Sequence, residues 1–468
     1  MTTLYNQLAR NITQDIKRDI YRPGERLPGV RRLAQQYQVS IATVLEACRL
    51  LEDQGQLEAR SRSGFFVRMR ATHTIAELDI SNPPKRPSLV RGQELALRLV
   101  KAANDPHMIT LGAAIPHTSY LPVRSVKQAV MRVQSERTSH YEFPPGEPSL
   151  LRQIARRMSE LGTPVAPDQI VITNGCQEAL QLALRAITQV GDVVAVESPA
   201  YYGLLQVIEF LGLKALELPT HPRDGLSVEA LEFALEQWPI KAVICTPNFS
   251  NPLGSRMSDS RKRALVKLAA RKQIKIIEDD IYGDLGFDNE RPSTLLSFDT
   301  RRDTVLHCSS FSKTLAPGLR IGWIVPGQFQ AQIEYLKFTL NLATAGTPQQ
   351  AVAALLEHGR YDRYLRQARL QYQQAVHRMV HAVDRYFPEG TKTTQPQGGF
   401  VLWVELGSPI DAEALFEKAL TQNICIAPGP MFSATRRYRN FIRLNCAIPW
   451  DIRIEKALNK LGQLIAQA

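Results

Sequence analysis

The chain has 468 residues, 44% of them hydrophobic and 22% charged, a length that calls for two or three domains and a composition ordinary for soluble globular proteins. It contains no apolar run of about 18 residues, no charged leader ahead of an apolar segment and no low-complexity tract, which points away from a membrane-spanning or exported chain and toward a cytoplasmic one. Net charge is +12, and twelve Lys and Arg against seven Asp and Glu fall within the first 70 residues, so the basic end is where a polyanionic partner is expected.

In that basic end Leu4, Leu8, Ile12, Ile16 and Ile20 recur every four residues and predict one helical stripe, which Pro23-Gly24 stops. Val30, Leu33, Ala34 and Tyr37 predict a second short helix. Ser40 can cap a third that carries Thr43, Val44, Ala47, Leu50 and Leu51. Two short helices joined by a tight turn have helix-turn-helix geometry. Leu57-Glu58-Ala59-Arg60 and Ser63-Gly64-Phe65-Phe66-Val67 then predict a two-stranded hairpin, a wing.

Residues 23 to 67, through Pro23-Gly24-Glu25-Arg26-Leu27-Pro28, Val30-Arg31, Ser40, Thr43-Val44, Leu51-Glu52, Gly55 and Gly64-Phe65-Phe66-Val67, closely resemble the winged helix-turn-helix of the GntR regulators. The resemblance implies a double-stranded DNA operator as partner, with Arg31, Ser40 and Thr43 at the recognition helix and Arg62 and Gly64 at the wing tip near the minor groove. It also shows a departure. Relatives often place Arg after the capping Ser or Thr, whereas Ile41 stands here, so that phosphate contact is lost or passes to Arg32 or Arg60.

The DNA-reading domain is expected over residues 1–70. Residues 71–105 form the connector and the start of the body, and Ser81-Asn82-Pro83-Pro84-Lys85-Arg86-Pro87-Ser88 predicts a semi-rigid tether that holds the reader away from the body. Leu95, Leu97, Leu99 and Val100 suggest a helix already belonging to the body.

Beyond Ile109, β-branched runs alternate with amphipathic helices: Ile170–Ile172, Val193–Val196, Ala242–Ile244, Ile274–Ile277 and Thr304–Leu306. This alternation predicts an α/β domain on a doubly wound, mostly parallel sheet, with ligands at the carboxyl ends of its strands. The runs are followed by Thr173-Asn174-Gly175-Cys176, by Glu197-Ser198-Pro199-Ala200-Tyr201-Tyr202, by Thr246 to Gly254, by Glu278-Asp279-Asp280-Ile281-Tyr282, and by Ser309-Ser310-Phe311-Ser312-Lys313-Thr314 with Arg320 close behind. A small-residue turn opening a helix suits a phosphate, and a lysine among hydroxyls beside an arginine suits a Schiff base next to one.

In order and offset these segments resemble the fold-type I pyridoxal phosphate enzymes of the aspartate aminotransferase group, especially the aminoadipate and kynurenine aminotransferases, from about Ile109 to the C-terminus. The resemblance implies pyridoxal 5'-phosphate as cofactor. Lys313 would form the aldimine with it, Asp279 would pair with the pyridine nitrogen, Asn251 and Tyr282 would bond the ring oxygen, and Tyr201 would stack on the ring. Gly175 and Cys176 amides, Ser310, Ser312 and Arg320 would hold the phosphate. Tyr141 matches the tyrosine lent to a neighbouring subunit's phosphate, which implies a homodimer.

The large domain is expected over residues 106–345 and a smaller C-terminal aminotransferase-like domain over 346–468. In the latter, Arg443 interrupts the apolar run Phe441 to Cys446 and needs an anionic partner; the resemblance makes it a clamp on a substrate α-carboxylate. His117 stands where relatives commonly have an acid, so a side-chain preference cannot be copied across. Six scattered cysteines without a C-x-x-C pair or histidines at ligand spacing predict reduced thiols and no metal. A GntR-like reader ahead of an aminotransferase-like body is the arrangement of the MocR regulators. It implies a DNA-binding transcriptional regulator that senses an amino compound, or pyridoxal phosphate itself, through Lys313. The alternative is an active 2-oxoglutarate-type aminotransferase with an appended DNA-binding domain.

Overall fold

The computed structural model describes residues 3–467 except 19, 22, 23, 54, 61–63, 68–75, 93, 134–139, 289, 358 and 408. At the N-terminus three helices, Leu4–Lys17, Val30–Gln36 and Ile41–Asp53, close around Ile12, Leu33, Val44, Ala47 and Leu51, all fully buried. The first helix ends before the apolar stripe does. Ile20 donates its N–H to Asp15 O (3.0 Å) beyond the helix and leaves its side chain exposed. Strands Leu57–Arg60 and Gly64–Val67 pair antiparallel as the wing, and residues 24–27 run beside them, with Gly24 N on Val67 O (2.7 Å) and Leu27 N on Phe65 O (2.8 Å).

Among the described residues the body is organised by a nine-stranded sheet. Lys214–His221, Val193–Ser198, Ile240–Cys245, Lys275–Asp279 and Val305–Ser310 run parallel in that spatial order. Gly322–Val325 is antiparallel to Val305–Ser310 and to Val171–Thr173 beyond it. The central strands Val193–Ser198 and Val305–Ser310 are buried along their whole length, as a parallel sheet covered by helices requires, and the apolar runs Val193–Val196 and Val305–Leu306 record this. Polar residues therefore appear where the runs end, at one edge of the sheet.

The smaller domain carries an antiparallel sheet in which Phe441–Asn445 lies between Val401–Glu405 and Ala427–Pro428. The 27-residue helix Arg360–Tyr386 connects it with the large domain. At its start the Tyr361 hydroxyl lies 2.8 Å from Thr314 Oγ1, next to Lys313. Its later turns reach the reader, where Arg378 pairs with Asp53 and the His381 ring lies directly against Gly55.

This arrangement departs from the expected free tether. Ser81 Oγ accepts the Thr220 N–H (2.8 Å), Trp238 Nε1 donates to Lys85 O (3.3 Å), and Ser88–Leu89 adds to the sheet edge at Lys214–His221. Prolines stiffen the segment without keeping it off the surface, because an extended chain offers its carbonyls and remaining amides to any open strand edge. The reader rests on the body instead of standing away from it. Among the described residues no helix is long and apolar enough to cross a membrane, and all six cysteines are buried and unpaired.

Candidate functional site

At the carboxyl ends of the parallel strands lies a cavity of about 260 Å³. Cys176, Tyr201, Asn251, Asp279, Tyr282, Ser312, Lys313 and Arg320 line it, so segments scattered over 145 residues of sequence converge there. The lysine is half-buried and donates to Ala114 O (2.7 Å). Desolvation, reinforced by the nearby cations of Arg443 and Arg320, pushes its ammonium down to about 8, so a useful fraction is the neutral, nucleophilic amine near neutral pH.

Asp279 closes the floor. It is buried and accepts the Cys176 thiol (Sγ–Oδ1 3.3 Å) and the Ile281 N–H (3.2 Å). Burial pushes its carboxyl up to about 6. Among the described residues no lysine or arginine pairs with it, leaving the carboxylate to a cationic ligand atom. The Tyr282 hydroxyl is buried without a hydrogen-bond partner; Asn251 stands near enough to bias its titration but outside hydrogen-bonding geometry. An orphaned buried hydroxyl and an unpaired buried carboxylate are what a polar aromatic ring with a basic nitrogen would satisfy.

Gly175 has φ +82°, and a Cβ there would lie 2.5 Å from the Arg320 guanidinium, so this turn requires glycine. Its N–H, expected to face a phosphate, instead donates to Thr173 O (2.9 Å) because the tight turn folds it back. The first intrahelical bond of Cys176–Ile187 runs from Ala179 N to Gly175 O, so the first-turn amides of Cys176 and Gln177 have no intrahelical acceptor. Arg320 spans this turn, donating to Asn174 O (2.8 Å) and to Ser312 Oγ (3.3 Å). Ser310 lies behind the cavity wall, where its hydroxyl donates to Ile321 O (2.8 Å) and accepts the Ser312 N–H (3.0 Å), bracing the lysine turn.

Arg443 is also behind the wall. It is fully buried, with Nη1 on Asn251 Oδ1 (3.0 Å), Nη2 on Gly112 O, and Nε without a partner. Its guanidinium lies over the Phe432 ring at 5.0 Å and the Tyr202 ring at 5.6 Å, and no carboxylate of the described residues neutralises it. Tyr141 is not brought to this cavity. It is 68% exposed and forms a surface with the exposed Phe143 and Phe338.

Sequence reasoning missed several members. Val100, Ala113, Ala114, Ile115, Gln177, Leu180, Tyr202, Thr246, Ile281 and Pro317 complete the lining without having been assigned a role, although Gln177, Tyr202 and Ile281 adjoin residues that were. Buried Glu197 accepts the Thr246 N–H (3.0 Å) and is pushed by burial up to about 8, so it is mostly uncharged at neutral pH.

On the reader, Arg31 and Ser40 are exposed and Thr43 half-buried. Ser40 Oγ accepts the Thr43 N–H (3.1 Å) and shares a hydrogen bond with its hydroxyl (2.8 Å), so it caps the helix Ile41–Asp53. Gly64 is exposed at the turn end of the wing, opposite Arg60, with φ +90°, and Arg62 lies outside the described residues.

Residues 106–461 match the family described as aminotransferase class I and II, and residues 4–67 match bacterial regulatory proteins of the gntR family. The uncharacterized HTH-type transcriptional regulator YjiR of Escherichia coli K12 is 38% identical over 100% of this chain and 99% of its own length; YdcR of the same strain is 38% identical over 99% of each. The chain belongs to the MocR group. In this MocR-type chain the reader is a gntR-family helix-turn-helix and the body is a fold-type I aminotransferase domain. The body superposes on Pyrococcus horikoshii kynurenine aminotransferase with a TM-score of 0.74 at 28% identity, covering 81% of this chain and 95% of that one. Membership implies pyridoxal phosphate, and the orphaned Tyr282 hydroxyl, the unpaired Asp279 and the glycine turn under Arg320 fit it.

Proposed function

We propose that the protein is a pyridoxal phosphate-dependent, DNA-binding transcriptional regulator in which an amino compound, or the cofactor itself, engages Lys313 and alters how the reader is presented to DNA. The observation that supports this most directly is a desolvated lysine facing a buried, unpaired aspartate in a chain that begins with a helix-turn-helix. When bound, the cofactor supplies an electron-accepting pyridine ring and an aldehyde reactive toward amines. Asp279 would hold a proton at the ring nitrogen. Tyr282 and Asn251 would bond the ring oxygen, and Tyr201 would cover a ring face. The Cys176 amide, Ser312 and Arg320 would hold the phosphate, with Gly175 and Ser310 shaping the turns that present them.

Arg443 would receive a carboxylate, the anion that its buried charge lacks. Tyr141 would serve a second copy of the chain, because its exposed aromatic surface lies outside its own cavity's lining and so suits a homodimer. On the reader, Arg31, Ser40 and Thr43 would face the operator. A ligand shifts such a system only by binding its two states unequally, and the helix Arg360–Tyr386, touching Thr314 at one end and Asp53 at the other, is a continuous route for that difference.

Purified protein should be yellow and should retard DNA from its own upstream region at moderate salt; absence of such binding would overturn the regulator reading. Lys313, Asp279, Asn251, Tyr282, Arg320 and Arg443 are all gathered in one region, which supports a second reading as a working aminotransferase. Sustained conversion of an amino acid with 2-oxoglutarate at roughly 1 to 1000 per second would establish it.

A further inference from the structure

We infer that the compound sensed at Lys313 is an α-amino acid with an uncharged, apolar side chain. This rests on the reading that an amino compound engages Lys313, and it adds the class.

The two cations that would receive an amino acid are tied to one short segment. Lys313 Nζ donates to Ala114 O (2.7 Å), and Arg443 Nη2 donates to Gly112 O. An α-amino acid with its amine at Lys313 and its carboxylate at Arg443 must therefore lie along residues 112–114, with its side chain against whatever flanks them. Ala113, Ala114 and Ile115 of that segment and Val100 line the cavity with apolar side chains, and every polar lining residue other than Asp279, Lys313 and Arg320, Gln177 and Tyr202 included, is of an uncharged type. Val100 is 37% exposed and points to the cavity from the helix Glu94–Ala103, whose Leu95, Ala96 and Leu99 are buried in the small-domain core and fix its position.

The charged groups of the lining are Asp279, Lys313 and Arg320, all at the cofactor end. His117, two residues past Ile115, is exposed, and its Nδ1 accepts the Ser119 N–H (3.1 Å) and lies 2.9 Å from Ser119 Oγ. Among the described residues, the lining around Val100 and Ile115 offers neither a cation for a side-chain carboxylate nor an anion for a side-chain ammonium. A charge placed against Val100 and Ile115 would be desolvated without compensation, whereas an aliphatic or aromatic group would gain from the same contact. The α-carboxylate remains necessary, because Arg443 is buried and otherwise unneutralised.

The test is a titration of the yellow full-length protein with leucine, methionine, phenylalanine, glutamate, aspartate, lysine and 4-aminobutyrate, following the visible absorbance of the bound cofactor and the melting temperature. The apolar amino acids should half-saturate the spectral change at concentrations roughly tenfold or more below the charged ones, with 4-aminobutyrate, which lacks an α-carboxylate, among the weakest. Tighter binding of glutamate, aspartate, lysine or 4-aminobutyrate would overturn this inference while leaving amine sensing intact. No spectral change with any amine would overturn both. In Val100→Arg, if the cofactor is retained, preference should move at least tenfold toward glutamate; in Val100→Thr it should keep its order. An unchanged preference in a yellow Val100→Arg protein would count against this wall.

Discussion

The reader and the cavity of the body handle charge in opposite ways. On the reader, Arg31 and Ser40 stand in solvent on short helices packed over a small apolar core, and their use depends on presenting a fixed geometry to a polyanion. In the body, Asp279 is buried and Lys313 half-buried, and desolvation moves both titrations toward neutrality. A screened surface contact contributes a bounded increment, and its neighbours carry on without it. A desolvated reactive group has no substitute. Substitutions in the two regions should therefore differ in kind as well as in size.

The largest effect is expected from Lys313→Ala, which should abolish borohydride-fixable attachment of the cofactor while leaving the reader folded. A covalent link that persisted in this variant would mean that another amine does the work. Asp279→Asn should weaken cofactor retention by about 3–5 kcal/mol, the penalty typical of leaving one member of a buried charge pair alone, as measured by cofactor release on dialysis. The pH dependence of cofactor capture by the apoprotein sharpens the same side of the comparison. Because Lys313 reacts as the neutral amine and its ammonium is held down to about 8, the rate should climb with pH and level off above about 8. A profile still rising steeply toward 10 would show that the lysine is not desolvated.

On the other side, Arg31→Ala should weaken operator binding about 10- to 100-fold and lessen its salt dependence, with the yellow colour unchanged. Loss of DNA binding and colour together would point to misfolding. The smallest effect belongs to the junction. Arg378 and Asp53 are both partly exposed, so Arg378→Ala should alter stability by less than about 1 kcal/mol. It should nevertheless increase proteolysis between the two regions if this contact keeps the reader seated.

Much of the division between the regions was legible in the residues. Helical periodicity at Leu8 and Ile12, the capping Ser40 and the paired runs around Gly64 describe the reader, because its contacts are nearly all local. Five of the nine strands of the body's main sheet were visible as apolar runs, whereas Lys214–His221 and Gly322–Val325 were not, and polar residues following the five runs are among those that line the cavity. Legibility failed where a role depends on direction. Nothing in the chemistry of Gly175 announces that its N–H turns to Thr173 O, and nothing in Ser310 announces that it braces Ile321. Val100 reads as one more apolar helical residue, and only packing of its helix on the small-domain core brings it to the cavity wall. The prolines of residues 83–87 predicted stiffness, but not that the adjoining strand would be laid against the sheet edge.

The sequence by itself determined the helical reader and the alternation of strands and helices in the body, which follow from periodicity, and the resemblance of its motifs implied the lysine, the aspartate and the pairing of a DNA reader with an aminotransferase-type body. Tertiary structure alone decided that Asp279 receives the Cys176 thiol, that Arg443 is sealed behind Asn251 and Gly112, and that one helix touches both Thr314 and the reader. The reason is physical: local patterns follow from neighbours a few residues apart, whereas desolvation and hydrogen-bond direction depend on which distant segments close around a group.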